Sequence, residues 1–74
     1  MTNQKTIVKS VKMECIDGSH FKQWEISIDR DGTVTTRWGR IGNSLQEKEF
    51  PEAGIVFYDK KINEKLKKGY CIVD

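Results

Sequence analysis

The sequence predicts an α+β fold in which one amphipathic helix packs on an antiparallel sheet of four to five strands. Three observations support this prediction. Apolar and polar residues alternate with a period of two in the N-terminal half, an Asp31-Gly32 pair follows the clearest of these stretches, and one segment after Pro51 has apolar residues at helical spacing. We expect residues 1–74 to form a single domain, with residues 1–5 disordered.

Alternation defines the first two strands. Residues 7–17 form the first strand, whose apolar face consists of Ile7, Val11, Met13 and Cys15. A turn around Gly18 follows, because glycine adopts a positive φ without steric penalty. Residues 21–28 form the second strand, and its apolar row is Trp24, Ile26 and Ile28.

The third strand, residues 33–41, has an irregular pattern. Val34 and Ile41 have opposite parity, so they cannot both point inward along a regular strand. We therefore predict a bulge at Trp38-Gly39. Such a bulge would aim the indole and the guanidinium of the next arginine in directions that a regular pleat forbids.

The remaining elements are a short strand, a helix and an apolar tail. Residues 45–50 form a charged strand at an edge of the sheet. Pro51 is suited to the first turn of a helix that extends to residue 68, and Gly69 is suited to ending it. The apolar residues at helical spacing are Ile55, Tyr58 or Phe57, Ile62 and Leu66. Residues 70–73 form a last strand or a segment held against the sheet.

Composition limits the classes of protein to which the chain can belong. The 13 Lys and Arg residues exceed the 11 Asp and Glu residues only slightly, and a net charge of +2 does not by itself indicate nucleic-acid binding. No apolar run approaches the roughly 20 residues that span a bilayer. No apolar stretch follows the N-terminus as in a signal peptide. We expect a cytoplasmic protein with no membrane partner.

The residue types that catalysis or metal binding requires are scarce and badly spaced. Cys15, Cys71 and His20 are the only soft ligands, and they lack metal-ligand spacing, so we expect no metal and no cofactor. His20 lies with Asp17 and Ser19 in one turn, where they are too close along the chain to form a catalytic relay with an oxyanion pocket. The sequence predicts a protein that is not an enzyme and has no small-molecule substrate.

One stretch concentrates residues suited to binding. Around Trp38, one indole lies between the guanidinium groups of Arg37 and Arg40, with Gly39 between indole and second arginine. Arginine binds phosphate or carboxylate in a planar, bidentate manner, and tryptophan offers a broad stacking face. The same residues also fit a buried core indole beside surface arginines with packed stems. The local sequence leaves both interpretations open.

The run Trp38-Gly39-Arg40-Ile41-Gly42, followed by Gln46, resembles the motif that gives the WGR domain its name. Trp24-Glu25-Ile26 resembles the preceding family strand, and the run from Glu64 to Tyr70 is similar to the end of bacterial members. The resemblance covers nearly the whole chain. In two departures, Leu45 stands where family members usually have a glycine, and the segment before the helix is shorter.

The resemblance implies a non-enzymatic, sequence-independent DNA-binding module. In DNA-dependent poly(ADP-ribose) polymerases, a WGR domain holds the end of broken DNA, with its tryptophan on a terminal sugar. The matching positions are Trp38, Gly39 and Arg40, and we expect DNA, including its ends or nicks, as the partner. Further charge is available from the side chains of Arg37, Lys22, Lys61, Lys65 and Lys68.

Two alternatives remain at this stage. The helix lysines also fit a solvated outer face that binds nothing. The same tryptophan and arginine also suit a protein–protein interaction module, because these residue types anchor protein interfaces.

Overall fold

The computed structural model describes residues 6–74 and confirms the α+β fold. The prediction for residues 1–5 lies outside the described residues. Five antiparallel strands form one sheet in the order β4-β3-β2-β1-β5. The elements are β1 (Ile7–Asp17), β2 (His20–Asp29), β3 (Val34–Arg40), β4 (Gln46–Phe50), α1 (Gly54–Lys67) and β5 (Cys71–Ile72). Within residues 6–74, no helix has the length and apolar character to cross a membrane.

The core lies between α1 and one face of the sheet. Its buried members come from the apolar rows predicted for β1 and β2, joined by one residue of β3 and one of α1: Met13, Trp24, Ile26, Ile28, Val34 and Tyr58. Directly paired residues on neighbouring strands point to the same face, so the register aligns these rows. The opposite face of the sheet carries mostly polar residues, which is the division expected of an antiparallel sheet.

The predicted bulge at Trp38-Gly39 is wrong. β3 pairs with β2 along its whole length without a register shift. The strand ends before Ile41, whose amide donates a hydrogen bond to the carbonyl of Phe21 at 2.9 Å. Ile41 therefore need not follow the alternation of the strand. The ordinary pleat places Trp38 and Arg40 on the same face as the core residues.

The helix begins three residues later than predicted, at Gly54 instead of Pro51. Glu52 has a φ of 57° and Gly54 a φ of 84°, and neither value fits a right-handed helix. The chain uses these two left-handed residues to turn from β4 into α1. The Gly54 amide donates to the carbonyl of Gly32 at 2.9 Å, which ties the start of the helix to the β2–β3 hairpin.

The end of the helix agrees with the prediction. Gly69 has a φ of 97°, and its amide donates to the carbonyl of Leu66 at 3.2 Å. The Tyr70 amide donates to the carbonyl of Lys65 at 3.1 Å. These two bonds form a Schellman motif, which satisfies carbonyls at the helix end. The motif also fixes Tyr70 beside Lys65 and directs the chain into β5, so the predicted last strand is confirmed.

Candidate functional site

A groove with a volume of about 420 Å³ lies where β2 begins and β3 ends. We call it the end groove, and its lining combines aromatic, cationic and polar residues: His20, Phe21, Lys22, Gln23, Trp38, Gly39, Arg40 and Tyr70. Lys22 and Arg40 are directly opposite each other on neighbouring strands. The groove has the size of a small-ligand cleft, for which the usual range is about 300–1,000 Å³.

Trp38 is partly buried, and it contributes both to the core and to the end groove. Its direct partner on β2, Trp24, is only 4% exposed and belongs wholly to the core. On its other side Trp38 is paired with the exposed Gln46 of the edge strand β4. The register therefore separates the two indoles by role, one filling the core and the other open on the side of the groove.

Arg40 is exposed and available to a ligand. Its guanidinium carbon lies 5.9 Å from the centroid of the Phe21 ring, a distance that suits a cation–π contact. Within residues 6–74, neither Arg40 nor Lys22 makes an ion pair with a carboxylate. These two cations, which lie opposite each other on neighbouring strands at the groove, are therefore free to bind an anion from outside the domain.

Arg37 does not share this surface, although it was predicted to act with Trp38 and Arg40. Successive residues of a strand point to opposite faces, so Arg37 lies on the face that the helix leaves open. There its guanidinium approaches Glu25 at 3.8 Å and Glu47 at 3.5 Å. Its immediate electrostatic partners are these two carboxylates of neighbouring strands.

The predicted helix lysines line up beside the aromatic residues of the helix-covered face. Lys65 Nζ lies 5.5 Å from the centroid of the Trp24 ring and 5.3 Å from that of Tyr70. Lys61 Nζ lies 5.3 Å from the centroid of the Phe57 ring, and it approaches Glu64 at 3.8 Å. Cations over aromatic faces are held in place electrostatically, so these ammonium groups are positioned along one surface.

The electrostatics of Lys65 show how close the cations are to one another. Burial lowers the pKa of the Lys65 ammonium below its usual value, and the positive charges of Lys68, Lys61 and Lys22 lower this pKa further. Glu64 acts in the opposite direction. Lys65 therefore carries its charge against repulsion from both the helix and β2, and an anion bound among these cations would relieve that repulsion.

Gly39, the glycine of the motif, lies close beneath the loop between β3 and β4. A Cβ atom at this position would lie 3.1 Å from Leu45 Cδ2 and 3.4 Å from the carbonyl oxygen of Ser44. The first distance is tighter than ordinary van der Waals contact, and the second lies at its lower limit. The glycine allows the loop between β3 and β4 to fold directly onto the strand, and Leu45, the departure from the family pattern, is the side chain that makes this contact.

Four residues that line the end groove were absent from the predicted site: His20, Phe21, Gln23 and Tyr70. The first three belong to the start of β2, after the turn at Gly18, and the fourth follows the glycine that ends α1. The sequence offers one usable signal for Tyr70, because the residue after a helix-ending glycine is placed beside the last helical turn.

The fold and the end groove define a small α+β domain whose helix-covered face has one cationic and aromatic surface. The WGR domain family model matches residues 9–73, and the chain therefore belongs to the WGR domain family. WGR is a binding domain and not a catalytic one, and the family is known for nucleic-acid binding. Comparisons with curated proteins and with solved structures gave no match.

Proposed function

We propose that this domain binds DNA, including DNA ends or nicks, without sequence specificity. The binding surface consists of one stacking residue and five cations of the helix-covered side: Trp38, Lys22, Arg40, Lys61, Lys65 and Lys68. The observation that carries the proposal is that Lys22 and Arg40 are opposed on neighbouring strands, without ion-pair partners within residues 6–74, beside a half-buried indole.

The chemistry of this surface matches a nucleic-acid backbone. The guanidinium of Arg40 can make bidentate hydrogen bonds to a phosphate, while Lys22 and Lys65 act as point charges. The open side of Trp38 can stack on a base or sugar, and stacking on an aromatic residue contributes about 1–3 kcal/mol per base. Phosphate contacts of this kind release counterions, so we expect affinity to fall steeply as salt is raised.

The position of the helix supports binding without sequence specificity. α1 packs on the sheet through Tyr58, which is only 2% exposed. Recognition helices place several side chains of a single helix against base edges in the major groove. Here the cations are spread over a helix and a sheet that are packed together, so we assign them to phosphates and not to base edges.

The alternative is a protein partner at the same surface, because aromatic and arginine residues also anchor protein interfaces. Phe21 is 39% exposed beside Arg40, and this pair could serve as such an anchor. The experiment that tests DNA binding also separates the two functions, because a protein-binding module gives no DNA signal at any salt concentration.

The test uses fluorescence anisotropy with a labelled duplex that has a 5′-phosphorylated end, at low and moderate salt. Arg40→Ala is expected to weaken binding by about 5–30-fold, which corresponds to about 1–2 kcal/mol for a lost charged contact. Arg37→Ala is the matched control, because it removes the same charge from the opposite face of the same strand. Equal losses for the two variants, or no binding by the unaltered protein, would refute the proposed surface.

A further inference from the structure

The end groove is lined by three aromatic side chains: one phenylalanine, one tryptophan and one tyrosine. Phe21 comes from the start of β2, Trp38 from β3, and Tyr70 from the turn after α1. The chain has only two Trp, two Tyr and three Phe residues. Rings from three separate segments around one groove favour a ligand with a flat face of its own.

The size of the groove limits that ligand. Its volume of about 420 Å³ is near the lower end of the range of roughly 300–1,000 Å³ for small-ligand clefts. This space suits a single nucleotide. A terminal base pair, which joins two bases edge to edge, presents a much wider flat surface.

The flat faces of paired bases are not accessible along a duplex, because each base pair stacks on its neighbours. Proteins that stack an aromatic side chain on the full face of a base commonly bind an unpaired base or take the base out of the stack. An aromatic groove of this size gains base-stacking energy from such a base. The aromatic lining therefore points to unpaired DNA, in addition to the phosphate contacts that any DNA can make.

The cations continue beyond the groove. Lys22 and Arg40 line it, while Lys65 lies over Tyr70 with its Nζ 5.3 Å from the ring centroid. The neighbouring charges belong to Lys61 of α1 and to Lys68, the residue that caps its C-terminal end. Phosphates on both sides of a nucleotide in the groove would thus meet positive charge, which fits a nucleotide within a strand better than a free nucleotide.

We propose that the end groove binds an unpaired nucleotide of a single-stranded DNA tail. The base stacks against Tyr70 and Trp38, and the flanking phosphates contact Arg40, Lys22 and Lys65. The inference rests on the proposed DNA binding and adds a substrate class, because it ranks DNA ends that carry a tail above blunt ends.

The test compares three fluorescent hairpin duplexes, each with one free end. The first is blunt, the second has a short thymidine tail, and the third has a tail of the same length built from abasic residues. The abasic tail keeps the phosphates and removes the bases, so it separates stacking from charge. We expect the thymidine tail to bind at least about tenfold more tightly than the abasic tail, which corresponds to about 1.4 kcal/mol.

Two substitutions of one residue locate the effect. Tyr70→Leu removes the ring and is expected to abolish the preference for the thymidine tail. Tyr70→Phe retains the ring and is expected to retain the preference. Both variants keep an apolar side chain beside the end of α1, and thermal unfolding monitored by circular dichroism verifies that each is folded.

The outcomes distinguish this inference from the proposed function. Equal affinity for the thymidine and abasic tails overturns the unpaired-nucleotide site and leaves DNA binding intact. A thymidine preference that survives Tyr70→Leu overturns the assignment to the end groove. Failure of all three probes to bind overturns the proposed function and this inference together.

Discussion

Trp38 and Trp24 show how one cross-strand pair divides two tasks between residues of the same type. Both point to the helix-covered face, yet Trp24 lies at the centre of the sheet with 4% exposure, whereas Trp38 is beside the edge strand and only half-buried. Burial of a large aromatic residue contributes several kcal/mol to stability, and a partly exposed ring contributes less. The position along the sheet, and not the residue type, therefore decides which indole can meet a ligand.

We expect substitution of Trp24 by leucine to reduce stability more than substitution of Trp38 does, and substitution of Trp38 by leucine to reduce DNA affinity more than substitution of Trp24 does. Trp24→Leu lowers the free energy of unfolding by about 2–4 kcal/mol, and Trp38→Leu lowers it less, by about 1–2 kcal/mol. DNA affinity of the folded protein follows the reverse order, because only Trp38 lines the end groove. Urea unfolding and fluorescence anisotropy measure the two quantities. A larger loss of affinity in Trp24→Leu would contradict the assignment.

Lys65 gives a prediction about pH. Its pKa lies below the ordinary lysine value of 10.5, because of burial and the nearby charges of Lys68, Lys61 and Lys22. Bound phosphate favours the charged form, so DNA binds the protonated state better and raises the pKa. As the pH rises through the lowered pKa of the free protein, the proton is lost and the DNA affinity falls.

The matched variant is Lys65→Arg, because arginine stays protonated throughout the alkaline range. We expect anisotropy titrations between neutral pH and pH 10.5 to show declining affinity for the unaltered protein and a flatter profile for Lys65→Arg. Tyr70, the nearest phenol, has a pKa raised above its ordinary value by burial and by Cys15, so it adds little charge in this window. Identical profiles would show that Lys65 does not contact phosphate.

At the level of the secondary-structure elements, pairing of the strands creates a row of alternating charges on the open face. Lys12, Glu25, Arg37 and Glu47 are successive direct neighbours across β1, β2, β3 and β4. Opposite charges placed directly across a sheet stabilise it by about 0.2–1 kcal/mol per pair. Arg37 is thus part of the packing of the sheet, which explains why two arginines close together in the motif have different surroundings.

The sequence predicts the elements of this fold better than it predicts the site. The rows through Met13 and Trp24 follow from alternation alone, because burial on one face imposes a period of two. The prediction of a bulge is wrong because it places Ile41 within the strand. The prediction of the helix start is wrong because Pro51 suits a first helical turn, and the residue type of Glu52 does not indicate its positive φ.

The set of residues that line the end groove could not be predicted from the sequence. Phe21, Trp38 and Tyr70 are far apart in the chain, and they meet through the β2–β3 register and the turn that follows α1. Local patterns report the face on which a residue lies, but they do not report which distant segment will be next to it. The motif residues Trp38 and Arg40 could be named in advance only because they stand together in the sequence.

Gly39 provides a test at the level of the β3–β4 connection. Gly39→Ala would bring a Cβ atom within 3.1 Å of Leu45 Cδ2, so the side chain of Leu45 must move. We expect a loss of about 1–3 kcal/mol in unfolding free energy, as is usual for overpacking. Leu45→Ala, added to Gly39→Ala, removes the contacting atom Leu45 Cδ2. In a double-mutant cycle, we expect the double variant to recover part of the loss caused by Gly39→Ala. Simple additivity of the two changes would rule out the proposed contact.

Across the whole molecule, the two faces of the sheet differ in charge. The helix-covered side carries a concentration of cations: Lys22, Arg40, Lys48, Lys61 and Lys65. The open face carries Glu14, Glu25, Glu47 and Glu49 together with Lys12 and Arg37. Among residues 6–74, the small net charge of the chain, +2, therefore conceals one positive and one predominantly negative side. Such a distribution orients the domain toward a polyanion, because the field near one face differs from the field of the total charge.

This asymmetry predicts that equal changes in net charge have unequal effects on DNA binding. The double variant Lys22→Gln/Lys65→Gln and the double variant Lys12→Gln/Arg37→Gln each remove two positive charges, which changes the net charge from +2 to 0. The first pair lies on the proposed binding surface and the second on the open face. Each lost phosphate contact reduces the slope of log affinity against log salt by about 0.9 for duplex DNA.

We therefore expect the slope to fall by about 1.8 for Lys22→Gln/Lys65→Gln and to remain nearly unchanged for Lys12→Gln/Arg37→Gln. Anisotropy titrations at several salt concentrations give both slopes. The two variants have the same net charge, so a difference between their slopes reports where the lost charges lie and not how many were lost. Equal slopes would mean that DNA senses the net charge of the domain and not the surface around Lys22 and Lys65.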